Sequence, residues 1–353
     1  MSRSLLLKGR LGRAGAASIG AVLLLTGCTG PSGHGASPTS APGGAGPTTT
    51  IVPSVVAGTA ESGPLSYLGA VDRMPVMAVP NGLSSTDVPV PGTTAYRQVV
   101  TVAYRQSGSG TPLVLIEGED ASMTWWSPTL IQALDQHYRV TIFDLPGVGY
   151  SGTPSAPLSI DWLADVTAGL ADELGLSNSV VFGWGMGGQI AVALSMRHPT
   201  LVSDLVVADT GLPTSGSQPM STPAASLLGS PTATPAAISR LMFPPAAAAA
   251  RHEWLHELDE QIPDDVTSET ISMQSRLESA FWTGNDSVSG LAGLRHPVLV
   301  IAGDDDNVFP SADATALSAA ISGAQHYLWN GAGYGALLQD PPQFVSLLQE
   351  FTG

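Results

Sequence analysis

Cysteine and lysine are almost absent from this chain of 353 residues, which contains one of each. The single cysteine, Cys28, excludes an intramolecular disulfide framework. Lys8 is the only lysine, and acidic residues outnumber basic residues by 29 to 13, which gives a formal net charge of −16. Such a charge argues against nucleic acid as a partner, because phosphates need Lys or Arg side chains to neutralise them.

The sequence also lacks a hydrophobic run long enough to cross a membrane. Its first 27 residues have the pattern of an export signal. Four basic residues accompany an apolar run over residues 14–25, which is shorter than the ~20 apolar residues of a membrane-spanning helix. The small residues Thr26 and Gly27 then precede Cys28. The tetrapeptide Leu25-Thr26-Gly27-Cys28 resembles the lipobox of bacterial lipoproteins.

This resemblance implies that residues 1–27 are removed and that Cys28 is acylated and becomes the new N-terminus. Residues 28–50 are then a lipidated cysteine and a flexible linker, because their Gly, Pro, Ser, Thr and Ala content buries too little apolar surface to offset the ordering entropy. We therefore expect an exported protein, anchored by lipid to the extracytoplasmic face of a bacterial membrane. An ordinary secretory signal is the alternative. The processed chain would carry nine arginines against 29 acidic residues, a formal charge of −20.

Apolar runs typical of buried strands recur from residue 96 onward. They are residues 99–104, 113–116, 140–143, 180–182, 205–209, 298–302 and 327–329. Apolar residues at helical spacing predict a helix over residues 160–174, with Ser159 as its cap and Gly175 near its end. The alternation predicts an α/β fold with a mostly parallel central sheet flanked by helices. Residues 51–95 show neither the helical nor the strand period of apolar residues, and we expect an extended segment that packs on the domain.

Two motifs resemble loops of the α/β-hydrolase family. The octapeptide from Asp144 to Ser151 matches a D-x-P-G-x-G-x-S loop of that family. The pentapeptide Gly183-Trp184-Gly185-Met186-Gly187 stands where the family has its G-x-S-x-G nucleophile elbow. The resemblance implies an α/β-hydrolase fold over residues 96–353. It also implies a helical cap at about residues 212–292, where we expect helices around 246–260 and 268–281.

The catalytic positions that the resemblance assigns are degenerate in this chain. Gly185 stands at the serine nucleophile's position and has no side chain that could form a covalent intermediate. Tyr334 replaces the family's histidine, and a phenol with a pKa near 10 is a poor general base at neutral pH. Asp306 stands at the position of the family's acid, and we expect it to accept a hydrogen bond from the Tyr334 hydroxyl. None of the three positions therefore retains its usual catalytic role.

A ligand pocket is predicted beside these degenerate positions. Its candidate residues are Glu117, Gly118, Glu119, Trp184 and Met186. The backbone N–H groups of Glu119 and Met186 would converge as in an oxyanion hole, so that a ligand oxygen could be held there. Carboxylates at Glu117, Glu119, Asp120 and Asp306 are expected to make this site acidic and unfavourable for anionic ligands.

Neither a metal nor another cofactor is predicted. His252, Glu253 and His256 match the H-E-x-x-H pattern of zinc peptidases on a predicted helix, but no third ligand accompanies them. The acidic residues near the elbow have no calcium-loop spacing, and solvated loop carboxylates are the simpler interpretation.

The joint loss of nucleophile and base indicates that the fold serves a purpose other than hydrolysis. We expect a non-catalytic protein that binds a small apolar ligand or an envelope protein partner. The alternative is an envelope hydrolase of ester or lipid substrates, with metal at the two histidines or a relocated serine such as Ser122, Ser127 or Ser151. A third hypothesis is a structural or assembly factor whose contacts come from the acidic surface and residues 51–95.

Overall fold

Residues 100–154, 158–261, 266–284 and 290–353, together with the backbone of 76–78, are described by the structure, a computed structural model. The export signal, Cys28, the linker and most of segment 51–95 lie outside these residues, so those predictions stay predictions. Within the described residues, none of the helices combines the length and the apolar character that a membrane span requires.

The described strands form one sheet in the order β1-β2-β4-β3-β5-β6-β7-β8. Their bounds are β1 Val76–Ala78, β2 Thr101–Gly108, β3 Thr111–Ile116, β4 Tyr138–Phe143, β5 Ser179–Trp184, β6 Val202–Ala208, β7 Val298–Gly303 and β8 Gln325–Trp329. The pairs β1–β2 and β2–β4 are antiparallel, and every other neighbouring pair is parallel. The predicted mostly parallel sheet is thus confirmed, and three residues of segment 51–95 form its edge strand.

Helices fill the connections between the strands. They are α1 Pro128–Asp135, α2 Ile160–Glu173, α3 Met186–Arg197, α4 Thr222–Leu228, α5 Pro235–Met242, α6 Ala248–Asp259, α7 Ser268–Thr283, α8 Ser311–Ala320, α9 Ala336–Gln339 and α10 Pro341–Thr352. Helix α2 begins after Ser159, whose side chain accepts a hydrogen bond from the Trp162 N–H, as predicted. Helices α4 to α7 lie between β6 and β7, and α6 and α7 match the two helices expected in this insertion.

Both faces of the sheet are buried. Val114 and Ile116 of β3 belong to one hydrophobic cluster, whereas Leu113 and Leu115 belong to the other. Because successive side chains of a strand point to opposite faces, the two clusters cover the two sides of the sheet. Burial on both faces explains why the parallel strands are continuous apolar runs in the sequence.

The carboxyl ends of the parallel strands bring the predicted site residues to one edge of the sheet. Glu117 follows β3, Gly185 follows β5, Asp306 lies three residues after β7, and Tyr334 lies in the loop after β8. The Gly185 N–H donates to the carbonyl oxygen of Ala208, the last residue of β6, at 3.1 Å. This edge is where open α/β sheets usually bind ligands.

Candidate functional site

The turn between β5 and α3 keeps the geometry of a nucleophile elbow without a nucleophile. Gly185 has φ 57° and ψ −122°, a conformation that residues with a side chain rarely adopt. A Cβ atom on Gly183 would overlap the backbone carbonyl of Gly187, and one on Gly187 would overlap that of Ile116. The glycines therefore allow the tight turn itself, and Gly185 has a positive φ, which glycine adopts without steric cost.

The Tyr334 hydroxyl fills the space that the side chain of a nucleophile would need. A Cβ atom on Gly185 would overlap the Tyr334 hydroxyl oxygen and would lie 3.0 Å from Cζ of the same ring. A Cβ atom on Gly118 would lie 3.0 Å from the same oxygen. The hydroxyl thus lies between the loops that follow β3 and β5. With the Tyr334 hydroxyl in this position, a serine at position 185 would clash with it, so the two losses belong together.

Aromatic packing holds Tyr334 in this position. Its ring lies 4.8 Å from the Trp184 ring and 6.3 Å from the Phe309 ring, measured between centroids. The indole N–H of Trp184 donates to the backbone carbonyl of Tyr334 at 2.6 Å. Trp184 also packs on Trp126, with 6.1 Å between ring centroids. Since Trp184 is only 2% exposed, this pocket candidate serves as a core residue that positions the tyrosine.

The expected hydrogen bond between Tyr334 and Asp306 does not form, and that prediction is wrong. Asp306 Oδ1 instead accepts hydrogen bonds from the backbone N–H groups of Val308 at 2.7 Å and Phe309 at 3.2 Å. Asp306 Oδ2 and the Tyr334 hydroxyl are both buried, and neither has a hydrogen-bond partner among the described residues. The physical reason is length: a phenol extends beyond the reach of an imidazole and carries its oxygen to the elbow.

Of the other pocket candidates, Glu117 has a structural role, whereas Glu119 and Met186 stay candidates. Glu117 is fully buried, and its Oε1 accepts a hydrogen bond from the Leu145 N–H at 2.9 Å. This bond ties the loop after β3 to the loop after β4. The N–H of Glu119 has no hydrogen-bond acceptor among the described residues, nor does that of Met186. These two amides therefore stay candidates for binding a ligand oxygen.

Burial changes the charge expected at the site. Burial, with a smaller contribution from the charge of Glu278, raises the pKa of Glu119 to about 8. Burial likewise raises the pKa of Asp306 to about 8 and that of Asp120 to about 7. Glu119 and Asp306 are therefore mostly protonated at neutral pH. The expectation of a strongly anionic site is wrong for these groups, because a charged carboxylate is unfavourable where water is excluded.

Three further buried carboxyl groups lie around the elbow and were missed from the sequence. Asp209 directly follows β6, and its Oδ1 accepts a hydrogen bond from the Gly303 N–H at 2.9 Å. Glu278 of α7 accepts hydrogen bonds from Gln189 at 2.8 Å and Trp282 at 2.9 Å. Asp313 of α8 accepts one from the Gln218 N–H. The end of an apolar strand is a sequence signal that could have identified Asp209, whereas the helical residues carry no comparable signal.

The histidine pair of the zinc-peptidase pattern lies on the surface of α6. His252 and His256 are exposed on α6, and His256 Nδ1 lies 3.8 Å from a carboxylate oxygen of Glu260. In the part of the chain that the structure describes, no group of three His, Cys, Asp or Glu side chains could hold a metal ion.

The serines considered as relocated nucleophiles have structural roles. Ser122 shares a hydrogen bond with Thr124, and Ser127 caps α1. The Ser151 hydroxyl donates to the Asp144 carbonyl at 2.7 Å and accepts from the Ala103 N–H at 2.9 Å. None of these hydroxyl groups is hydrogen-bonded to a histidine among the described residues, so none has the base that a serine nucleophile requires.

Residues 111–341 match the family model described as alpha/beta hydrolase fold. The chain therefore belongs to the α/β-hydrolase fold family. Because family members perform many different reactions on one scaffold, membership by itself does not assign an activity.

Named relatives and solved structures agree with this family. The chain is 29% identical to a putative carbamate hydrolase RutD of Azorhizobium caulinodans, over 71% of this chain and 94% of the relative. It is 26% identical to a 2-hydroxymuconate semialdehyde hydrolase of Pseudomonas sp. strain CF600, over 72% of this chain and 93% of that relative. A thermophilic esterase from Thermogutta terrifontis superposes with a TM-score of 0.61 at 22% identity, over 74% of this chain and 96% of that one. The last comparison shows the fold alone.

Proposed function

We propose that this chain is a non-catalytic binding protein on the α/β-hydrolase scaffold, exported and anchored to the cell membrane through a lipid on Cys28. The observation that carries the non-catalytic assignment is the position of the Tyr334 hydroxyl in the space of the missing nucleophile. Acyl transfer on this scaffold needs a nucleophile at the elbow and a base beside it. Neither group is available at positions 185 and 334.

The retained parts of the site support binding rather than loss of all function. The elbow glycines keep the tight turn, and the amides of Glu119 and Met186 have no acceptor among the described residues, so they are available to a ligand oxygen. The aromatic rings, however, pack on each other, as Trp184 does on Tyr334. A small apolar ligand, which we expected from the sequence, gains no support from this packing. The other expected partner, an envelope protein, is unaffected by this packing.

Ester turnover tests the non-catalytic assignment. The purified full chain is assayed with short- and long-chain p-nitrophenyl esters beside Gly185→Ser and the double variant Gly185→Ser/Tyr334→His. We expect no turnover by the native chain or the single variant, because tyrosine occupies the space of the serine side chain and no base is present. The double variant restores both groups and removes the tyrosine hydroxyl, and it should gain measurable activity.

Clear turnover by the native chain would overturn the proposal in favour of the hydrolase alternative. A chelator and a serine-directed phosphonate would then distinguish a metal-dependent hydrolase from one with a relocated serine. Inhibition by the chelator would point to His252 and His256, whereas inhibition by the phosphonate would point to a relocated serine.

Membrane fractionation tests the anchor. We expect the native chain in the detergent phase of a Triton X-114 partition, and Cys28→Ala in the aqueous phase, because acyl chains supply the membrane affinity. Ser32→Ala is the matched control within the same linker and should partition like the native chain. Detergent-phase partition of Cys28→Ala would exclude the lipid anchor.

A further inference from the structure

The H-E-W-L-H segment of α6 contains two histidines whose spacing suits metal binding. His252 and His256 are four positions apart, and both lie within one continuous helix, Ala248–Asp259. Side chains at positions i and i+4 of a helix lie on the same face, with about 5–6 Å between their Cβ atoms. Two imidazoles at this spacing can bind one metal ion, as helical histidine pairs bind zinc. The helix thus supplies a two-histidine chelate.

Packing on the opposite face of α6 fixes the direction in which this pair points. Trp254 lies between the two histidines in the sequence and is the buried residue of α6. Its indole N–H donates to the Trp125 carbonyl at 3.0 Å, and the two indole rings pack with 5.4 Å between centroids. Because each helical residue turns by about 100°, the residues two positions from Trp254 lie on the other side of the helix. Both histidines therefore face solvent, and both are exposed.

Both histidines are available for a metal ion. His252 has neither a hydrogen bond nor an ion pair among the residues that the structure describes. His256 Nδ1 lies 3.8 Å from Oε1 of Glu260, and these two side chains are 62% and 60% exposed. Histidines that bind metals usually have a carboxylate beside the nitrogen that does not hold the metal. The position of Glu260 therefore favours metal binding through Nε2 of His256.

The charge of α6 also favours a cation. Arg251 is its one arginine or lysine, whereas Glu253, Glu257, Asp259 and the C-terminal cap Glu260 are acidic. A negative potential raises the local concentration of cations. In the described part of the chain, no group of three His, Cys, Asp or Glu side chains could hold a metal ion. The protein therefore supplies two ligands, and water supplies the others.

We propose that His252 and His256 bind one divalent transition-metal ion of the copper, nickel or zinc type, with Glu260 orienting the His256 ring. Imidazole is a suitable ligand for all three metals, and Cu²⁺ forms the tightest complexes with a given set of nitrogen ligands. The lack of a third ligand, which argued against a zinc peptidase, does not prevent binding by two. The site lies on α6 and not at the elbow, so it is independent of the function proposed above.

Isothermal titration calorimetry of the purified full chain, prepared without a polyhistidine tag, tests the proposal with Cu²⁺, Zn²⁺ and Mg²⁺. We expect Cu²⁺ to bind more tightly than Zn²⁺, and Mg²⁺ not to bind at this site, because it prefers oxygen ligands. His252→Gln and His256→Gln should each weaken Cu²⁺ binding at least about tenfold, since each removes one of two ligands. Absence of Cu²⁺ binding at about 1 mM, or unchanged affinity in both variants, would overturn the proposal.

Two control variants distinguish chelation from the mere presence of histidine. His137→Gln removes an exposed histidine that has no histidine four positions away, and it should bind Cu²⁺ like the native chain. The double variant His256→Gln/Glu253→His keeps two histidines on α6 but at adjacent positions, which do not face each other on a helix. It should lose as much affinity as His256→Gln. Native affinity in this double variant would exclude the i and i+4 pair as the site.

Electron paramagnetic resonance of the Cu²⁺ complex identifies the ligands directly. The native complex should show coupling to two imidazole nitrogens, and His252→Gln and His256→Gln should each show coupling to one. Glu260→Gln keeps both ligands, so it should retain the two-nitrogen signal while weakening Cu²⁺ binding by up to about tenfold. A native signal without nitrogen coupling would refute histidine ligation.

The metal titration and the ester assay fail independently. A chain that neither hydrolyses esters nor binds Cu²⁺ at α6 would lose only the metal site, and the non-catalytic assignment would stand. A chain that hydrolyses esters would lose the proposed function itself, whether or not it binds Cu²⁺.

Discussion

Adding a single methyl group at the elbow should destabilise the fold partly through a clash with one oxygen atom. In Gly185→Ala, the new Cβ overlaps the Tyr334 hydroxyl oxygen, whereas the next atoms of that ring, Cζ and Cε2, lie at 3.0 and 3.5 Å. Removing only the hydroxyl, as in Tyr334→Phe, should therefore relieve most of the clash. The two substitutions should be strongly coupled.

The magnitude follows from two separate contributions. A side chain at φ 57° and ψ −122° costs about 1–3 kcal/mol in backbone strain. Displacing the tyrosine from its packed position beside Trp184 costs a further ~1–3 kcal/mol. Gly185→Ala should thus lower the free energy of unfolding by about 2–6 kcal/mol in the native background. In the Tyr334→Phe background the backbone strain and the close 3.0 Å contact with Cζ should remain, a loss of about 1–3 kcal/mol.

A double-mutant cycle measures this coupling. The free energies of unfolding of the native chain, both single variants and the double variant are obtained from urea titrations followed by circular dichroism. Tyr334→Phe alone should be neutral or slightly stabilising, because it removes a buried hydroxyl with no partner among the described residues. A coupling energy below about 0.5 kcal/mol would refute the inference that the hydroxyl occupies the side-chain space of position 185.

Three other substitutions test the buried polar groups. Burial raises the pKa of Glu119 from 4.5 to about 8, so the free energy of unfolding should fall as pH rises from about 4.5 to about 8. The urea midpoints of Glu119→Gln should lack that decline. Burial opposes ionisation of Asp165, but hydrogen bonds from His198 and Arg197 outweigh it and lower the pKa of this carboxyl group below 3.8. Its contribution to the free energy of unfolding is therefore present above pH 3.8 and is lost as acid protonates it. Thermal melts should show that Asp165→Asn costs about 1–3 kcal/mol at pH 7 and less at pH 3. Trp184→Phe leaves a buried backbone carbonyl without its 2.6 Å hydrogen bond and should cost about 1–3 kcal/mol in urea titrations; a cost near zero would contradict this role.

The sheet and its order of elements could be predicted because their signals are local. A strand buried on both faces must be apolar at every position, so runs such as residues 298–302 identify β7 without knowledge of its neighbours. The elbow was predictable for a similar reason, since its tight backbone admits only glycine at positions such as 183 and 187. The short edge strand β1 was not predicted, because three residues are too few to show a period.

The sequence by itself determined the family, the sheet and the absence of a serine and a histidine at positions 185 and 334. Only the tertiary structure decided what replaced them. Trp184 and Tyr334 are 150 positions apart in the chain, and their contact places the hydroxyl at the elbow and away from Asp306. The protonation of Glu119 and Asp306 was equally inaccessible from the sequence. Residue type sets the ordinary pKa of a carboxyl group, but its shift depends on how completely the folded chain excludes water from it.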